Sequence, residues 1–131
     1  MKIRAWIICI LAVLIVGIAV YLLYSQYLYK NPKVSDFDIS EYSECIERFP
    51  SDRNVGPVDD AYTAREKARM VWAEMWGKEA VTRCRPHVVS YDPENEVWLV
   101  KGTLPKGKLG GVDYILIEKS TGDVIAVWGT K

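Results

Sequence analysis

The stretch KGTLPKGKLGGV, residues 101–112, has the glycine and lysine spacing of a phosphate-binding P-loop. Gly102 is followed by four residues and then by Gly107 and Lys108. In a P-loop, backbone N–H groups and the lysine hold the phosphates, and a Ser or Thr after the lysine holds magnesium. Here Leu109 follows the lysine, so the magnesium ligand is missing.

The elements predicted around this stretch also disagree with a P-loop. The residues before it, EVWLV, favour a strand, and the residues after it, VDYILIE, favour another strand. No helix N-terminus therefore follows to offer its free N–H groups to a phosphate. Pro105 removes one further N–H from the loop. We predict that the chain binds no nucleotide.

Residues that could carry catalysis or hold a metal are sparse. His87 is the only histidine, and no Cys or His lies near it at the spacing of a zinc site. As a general base it would need an orienting carboxylate, such as Asp92 or Glu94, and a nucleophile, but no spacing supports such an arrangement. A histidine on a strand is more often structural. We therefore predict no metal, no cofactor and no enzymatic activity.

An apolar stretch near the start of the chain is long enough to cross a membrane. Ala5 to Leu23 are nineteen residues without a charge, and a helix of that length reaches roughly 29 Å. A cleaved signal peptide has a shorter apolar region, about 7 to 15 residues, that ends in small residues. Tyr21 to Gln26 are mostly bulky instead. We predict an uncleaved signal anchor, with a cleaved signal peptide as the alternative.

Charges around this stretch predict its orientation. Lys2 and Arg4 precede it with the amino terminus, and Lys30 and Lys33 follow it, which by a small margin favours a cytoplasmic amino terminus. The rest of the chain would then face the periplasm or the cell exterior. Beyond residue 34 there are 17 acidic and 13 basic residues, a net charge of −4. This charge argues against nucleic acid and suits a basic protein partner.

Cys45 and Cys84 are the only cysteines outside the apolar stretch. In an oxidising compartment they would close a loop of about 40 residues, and the disulfide would stabilise the fold by roughly 4 kcal/mol. Two buried free thiols are the alternative. The predicted compartment favours the disulfide.

The strongest helical pattern runs from about Asp60 to Trp76. Apolar residues recur there at helical spacing, and the charged residues lie mostly off that stripe. Asp59 or Asp60 can cap the helix at its start, and Gly77 is a natural stop. The large apolar side chains of its last turns are predicted to pack in the core: Trp72, Met75 and Trp76.

After Gly77 the pattern changes to strands. Four short runs are rich in β-branched and aromatic residues. Asp92 and Pro93 favour a tight reversal between the first two runs, and Gly122 can take the positive φ that the last hairpin needs. We predict an α+β fold, with one long helix packed across a curved antiparallel sheet of about four strands.

Residues 31–58 form a juxtamembrane segment between the anchor and this domain. Apolar residues spaced three or four apart predict a short helix from about Ser40 to Phe49. That apolar face consists of Ile39, Tyr42, Cys45, Ile46 and Phe49. The predicted division is therefore an anchor over residues 1–30, this segment, and a domain over residues 59–131.

Three stretches of the C-terminal part carry a resemblance to a known protein family: VWLVKGTLP, LGGVDY and STGDV. With the alanine-rich helix before them they cover about residues 60–131, and this part resembles the bacterial immunity proteins with a nuclear-transport-factor-2-like fold. Those proteins are found beside polymorphic toxins. The resemblance implies a cystatin-like α+β fold and a protein that neutralises a toxin by binding it. The helix and the Thr-Gly turn are also shared with PepSY-like domains.

The anchor, the resemblance and the missing catalytic residues together predict a membrane-anchored, non-catalytic binding domain. Its partner would be a protein, the cognate toxin. The alternative is a PepSY-like envelope accessory domain that regulates or inhibits a cell-wall enzyme or protease. A third hypothesis is an enzyme that uses the cone-shaped pocket of the broader fold with His87 as base.

Exposed aromatic or charged anchors at a packed centre would carry a protein interface. Four candidate residues flank the loop or end the last strand: Lys106, Lys108, Tyr114 and Trp128. The alternative is that the two aromatic side chains pack in the core and the lysines are only solvated.

Overall fold

A computed structural model of the chain describes residues 2–104 and 110–130. The chain divides into two compact units, Met1–Asn31 and Pro32–Lys131. The first unit is a single helix, α1 (Lys2–Lys30). Within the described residues it is the one helix long and apolar enough to cross a membrane, a property that a signal sequence near the N-terminus shares.

The second unit is a five-stranded sheet with helices packed against it. Its elements in chain order are β1 (Val34–Asp36), a 3₁₀ turn (Ile39–Tyr42), α2 (Ser43–Arg48), α3 (Ala61–Trp76), α4 (Lys78–Arg83), β2 (Val88–Asp92), β3 (Val97–Lys101), β4 (Asp113–Glu118) and β5 (Val124–Gly129). The strands lie side by side in chain order. β1 is parallel to β2, and every other pair is antiparallel. The predicted α+β fold is confirmed, and the sheet has one strand more than predicted.

The long helix α3 begins and ends at the residues that the sequence indicates. The backbone N–H of Thr63 donates to the Asp60 carboxylate at 2.7 Å, which caps the helix start and lowers the pKa of Asp60. Gly77 ends the helix with a φ of +90°. The buried stripe of α3 consists of Ala61, Ala64, Arg65, Ala68, Val71 and Trp72.

Two predictions for the residues around Gly77 are wrong. Met75 and Trp76 are 37% and 41% exposed, and Trp76 lies at the end of β5, where Gly129 has no side chain to cover it. Residues Lys78–Arg83, predicted to lead into a strand, form the short helix α4. Ala80 and Val81 of α4 are buried, so the pattern that resembled a strand reflects packing of this helix.

Side chains alternate between the two faces of the sheet, and each face has its own core. Along β3, Trp98 and Val100 join the cluster under α3, and Val97 and Leu99 join the cluster on the opposite face. A bulge in β5 sets the faces of the last strand. Leu116 pairs with Ala126 and Ile117 with Val124, so one residue is left over and the strand changes face at that point.

Residues 34–58, which we call the strap, cover the opposite face with their first part, and Val55 and Val58 near their end pack into the cluster under α3. Four of the five residues of the predicted apolar face pack on the opposite face of the sheet, together with Phe37: Ile39, Tyr42, Cys45 and Ile46. The strap also lies along both sheet edges. β1 pairs with β2 at one edge, and residues 49–55 follow β5 at the other, with bridges from Pro50 to Ala126 and from Asn54 to Asp123. The segment predicted as juxtamembrane is thus packed into the folded unit.

Asp92 connects the strap to the β2–β3 hairpin. One carboxylate oxygen accepts the backbone N–H groups of Glu94 and Asn95 at 3.0 and 3.1 Å. The other oxygen accepts the backbone N–H of Ile39 and the side-chain amide of Asn95, both at 2.9 Å. The bond from Ile39 is the main reason why the pKa of Asp92 is lowered. The sequence predicts the turn that starts at this residue, but not its bond to the strap.

Candidate functional site

The P-loop-like stretch connects two strands. β3 ends at Lys101 and β4 begins at Asp113, so the element after the loop is a strand and not the helix that a phosphate site requires. Residues 105–109 lie outside the described residues, and with them the candidate binding residues Lys106 and Lys108. Gly102 packs tightly, since a Cβ there would lie 2.6 Å from Cβ of Cys84. A glycine is therefore needed at this position because a side chain would collide with Cys84.

His87 is buried between α3 and α4, and both of its ring nitrogens are engaged. Nε of Arg69 donates to Nδ1 at 2.8 Å, which leaves the proton on Nε2 to be donated to the Val81 carbonyl at 3.1 Å. Trp72 lies against the ring, with centroids 5.2 Å apart. A general base needs a free lone pair that points to substrate, and the lone pair of this imidazole accepts from an arginine.

The burial of His87 in the folded state predicts how the stability of the fold depends on pH. Burial, followed by the charge of Arg69, lowers the pKa of the folded-state imidazole from 6.5 to about 4. Between these values the unfolded chain binds a proton that the folded chain does not, so stability falls as the pH decreases from 6.5 towards 4. We expect the unfolding midpoint of the wild type to decrease between pH 6.5 and 5 more steeply than that of His87→Gln.

The same prediction can be checked by NMR without a variant, because His87 is the only histidine. Its imidazole signals should stay those of the neutral ring at pH 5. A titration midpoint near 6.5 in the folded protein would contradict the burial and the arginine contact on which the prediction depends.

Tyr114 and Trp128, the two candidate aromatic anchors that the structure describes, are stacked on the face covered by the strap. Their ring centroids are 5.1 Å apart with an interplanar angle of 5°. Tyr42 and Phe49 of the strap contact Trp128 at 5.9 and 6.5 Å. Trp128 is only 5% exposed, which corrects its assignment as an exposed anchor. Its large apolar ring packs against the strap and holds the strap on the sheet.

Tyr42 is the central ring of this aromatic cluster. Besides Trp128 it contacts Tyr114 at 6.4 Å and Phe37 at 5.9 Å. Burial, followed by the proximity of Tyr114, raises the pKa of the Tyr42 hydroxyl. The phenol therefore stays neutral over the physiological range, as a ring inside an apolar cluster should.

The predicted disulfide between Cys45 and Cys84 is absent, and both residues are free thiols. Cys45 packs on the strap side of the sheet. Cys84 ends α4 on the other side, where it is buried beside Gly102 and its thiol lies 3.8 Å from the Gly111 carbonyl. A disulfide needs Cα atoms about 4.4 to 6.8 Å apart, and here the sheet lies between the two side chains. Of the alternative, two buried free thiols, Cys84 fits as a buried residue, whereas Cys45 is half-buried.

The exposed end of α3 contains a group of side chains that the sequence does not indicate. Trp76 Cη2 and Asp113 Oδ1 lie 4.0 and 3.2 Å from the point where Gly129 would carry its Cβ. Oδ2 of Asp113 is buried without a hydrogen-bond partner. Burial raises the pKa of Asp113, and Arg83 lowers it by Coulombic attraction. The only sequence signal is an acidic residue at the start of a predicted strand.

The acidic residues are distributed unequally over the folded unit. The strap has six acidic and two basic residues, and residues 59–131 have eleven of each. The negative excess is therefore confined to the strap, where Glu41, Glu44 and Glu47 are exposed along the 3₁₀ turn and α2. Within the described residues no group of three or more His, Cys, Asp or Glu side chains could hold a metal ion.

Residues 63–131 match a family model described as an NTF2 fold immunity protein. The matched span includes most of α3, all of α4 and the four strands β2 to β5. The apolar helix α1 and the strap lie outside it. No curated protein and no solved structure matches the chain.

Proposed function

Since the chain belongs to the family of NTF2 fold immunity proteins, we propose that it neutralises a toxin by binding it, from a position anchored in the bacterial inner membrane. The family match over residues 63–131 is the observation that carries this proposal. The folded unit, Pro32–Lys131, is the part that binds, and α1 is the anchor.

The anchor is supported by the length and composition of α1. The helix has 29 residues, and its apolar part matches the roughly 30 Å of a hydrocarbon core. A cytoplasmic amino terminus follows from Lys2 and Arg4 before the apolar part. In this orientation the folded unit faces the periplasm, and the toxin would be one that acts in the envelope.

Binding is favoured over catalysis by the engagement of the one histidine. The lone pair of His87 accepts from Arg69, and its N–H donates to the Val81 carbonyl. An inhibitor needs only a complementary surface, and the strap offers a net charge of −4. Opposite charge accelerates encounter with a partner, so a toxin with a basic surface is the partner that this chain fits best.

The proposal is tested by producing the full chain together with the toxin encoded by a neighbouring gene. The toxin is made in two forms, one exported to the periplasm and one retained in the cytoplasm. We expect cells to survive the exported toxin when they contain the chain, and a complex to be recovered from their membranes. Because the folded unit would face the periplasm, protection against the retained toxin should be absent.

Three outcomes would contradict the proposal in whole or in part. If the chain protects against neither form of the toxin and no complex is recovered, a role in immunity is contradicted. Recovery of a host cell-wall enzyme or protease in place of the toxin would support the envelope accessory role instead. Protection only against the retained toxin would contradict the orientation and leave the family role intact.

A further inference from the structure

The last turn of α3 exposes two large apolar side chains beside the end of the sheet. Trp76 is 41% exposed and Met75 is 37% exposed. α3 stops there because Gly77 takes a φ of +90°. Tryptophan is enriched among the residues that dominate protein interfaces, since its ring buries a large area with little loss of side-chain freedom.

Gly129 lies between this indole and a carboxylate and has no side chain to separate them. The position that its Cβ would occupy is 4.0 Å from Trp76 Cη2 and 3.2 Å from Asp113 Oδ1. Gly129 itself is exposed. We call this surface the slot, with the glycine as its floor, the indole on one side and the Asp113 carboxylate on the other.

The carboxylate in this slot lacks a partner that it needs. Asp113 Oδ2 is buried and accepts no hydrogen bond within the described residues, which destabilises the free protein, and Oδ1 is the oxygen that lies at the slot. The charge of Arg83 lowers the pKa of Asp113, but Arg83 is exposed on α4, and within the described residues it forms no ion pair with this carboxylate. Groups that cost stability and are kept unsatisfied are typical of binding sites.

We propose that the slot formed by Trp76, Gly129 and Asp113 receives a basic side chain of the protein partner, best an arginine. This inference rests on the proposed function, since it names the contact through which the toxin is held. A guanidinium fits because its flat face stacks on an indole and its N–H groups donate to a carboxylate. Lysine lacks the flat face and fits less well.

The slot is tested first on the free protein, with N-acetyl-arginine amide as the probe and N-acetyl-norvaline amide as its match without the guanidinium. In NMR titrations of the wild type, the arginine probe should shift the Trp76 indole signal and the norvaline probe should not. Asp113→Asn should abolish the shift. Equal shifts from both probes, or a shift that persists in Asp113→Asn, would overturn the proposal.

Thermal unfolding of the free protein separates a binding role from a structural one. Because Oδ2 of Asp113 accepts no hydrogen bond, Asp113→Asn should unfold at the wild-type temperature or above it. A marked decrease, accompanied by a similar decrease in Arg83→Gln, would show that Arg83 of the same chain occupies the slot. That result would also overturn the proposal.

Affinity for the toxin provides the final readout. Trp76→Ala and Asp113→Asn should each weaken binding about tenfold or more, as truncation of an interface anchor does. Met70→Ala and Glu94→Gln are the controls, since both residues are exposed outside the slot, and their affinity should equal that of the wild type. If the wild type binds toxin and the slot variants bind equally well, the slot proposal fails and the immunity proposal stands. If the wild type binds no toxin, the immunity proposal fails, and the probe titration alone then decides on the slot.

Discussion

A chain that begins at residue 59 should fail to fold, whereas residues 32–131 should unfold in one cooperative transition. The shorter chain contains the whole of the matched family span, residues 63–131, but it lacks the strap. The strap covers a second apolar face of the sheet, formed by Val97, Leu99, Leu116, Ala126 and Trp128. Exposure of that face removes the hydrophobic stabilisation of this second cluster.

Loss of the strap also exposes both edges of the sheet. β1 no longer pairs with β2, and the N–H groups of Val124 and Val127 lose the strap carbonyls of Arg53 and Phe49. Unpaired edges and an apolar face together favour aggregation. Circular dichroism and chemical unfolding of the two chains check the prediction, and a cooperative transition of equal stability in the shorter chain would refute it.

A point variant tests the same contact without removing residues. Tyr42→Ala deletes the ring that contacts Phe37, Tyr114 and Trp128, and it should lower the free energy of unfolding by about 2 kcal/mol. Glu44→Gln is the matched control because Glu44 is exposed on the same segment. Its effect should stay within about 0.5 kcal/mol.

Gly122→Ala should be among the most destabilising single substitutions in the folded unit, with a loss of about 3 kcal/mol or more. Gly122 has a φ of +77°, and its Cβ would collide with the backbone of Gly56, above all with the carbonyl oxygen. The hairpin and the strap lie too close for any side chain. The N–H of Val55 donates to the Gly122 carbonyl at 2.9 Å, so neither segment can retreat without breaking this contact.

Gly56→Ala is the control that separates the collision from the backbone strain. Gly56 has a similar φ of +80°, but its Cβ would meet nothing within 4 Å. Gly56→Ala should therefore lower the free energy of unfolding only by the strain of a left-handed residue, about 1 kcal/mol. Urea unfolding of both variants measures the difference, and equal losses would contradict the close approach of hairpin and strap.

The predictable parts of this fold are those that depend on neighbours in the chain. The limits of α3 follow from Asp60, which caps its start, and from Gly77, because glycine readily adopts the positive φ that ends the helix. The turn after β2 follows from Asp92, whose carboxylate accepts the next backbone N–H groups. The apolar face around Tyr42 was likewise evident from its helical spacing.

The candidate site was much less predictable. Of the four residues proposed as anchors, Trp128 is buried, and the slot beside Trp76 was not foreseen. A large apolar residue at the end of a helical stripe packs in the core only if another element covers it, and composition does not show which residues lie uncovered. Asp113 is another example, because an unsatisfied buried oxygen is a property of its surroundings.

Local patterns in the chain were thus sufficient for the long apolar helix, the α+β class, the caps and the turns, and for the family to which residues 63–131 belong. Only the packed structure decided that the strap completes the sheet, that Cys45 and Cys84 lie on opposite faces, and that Trp76 and Asp113 meet over Gly129. Caps and periodicity act over a few residues, within one element. Which faces are covered depends on contacts between segments far apart in the chain. The bulge in β5 also changes the face of the sheet on which the following side chains lie, and no pattern in the sequence indicates this bulge in advance.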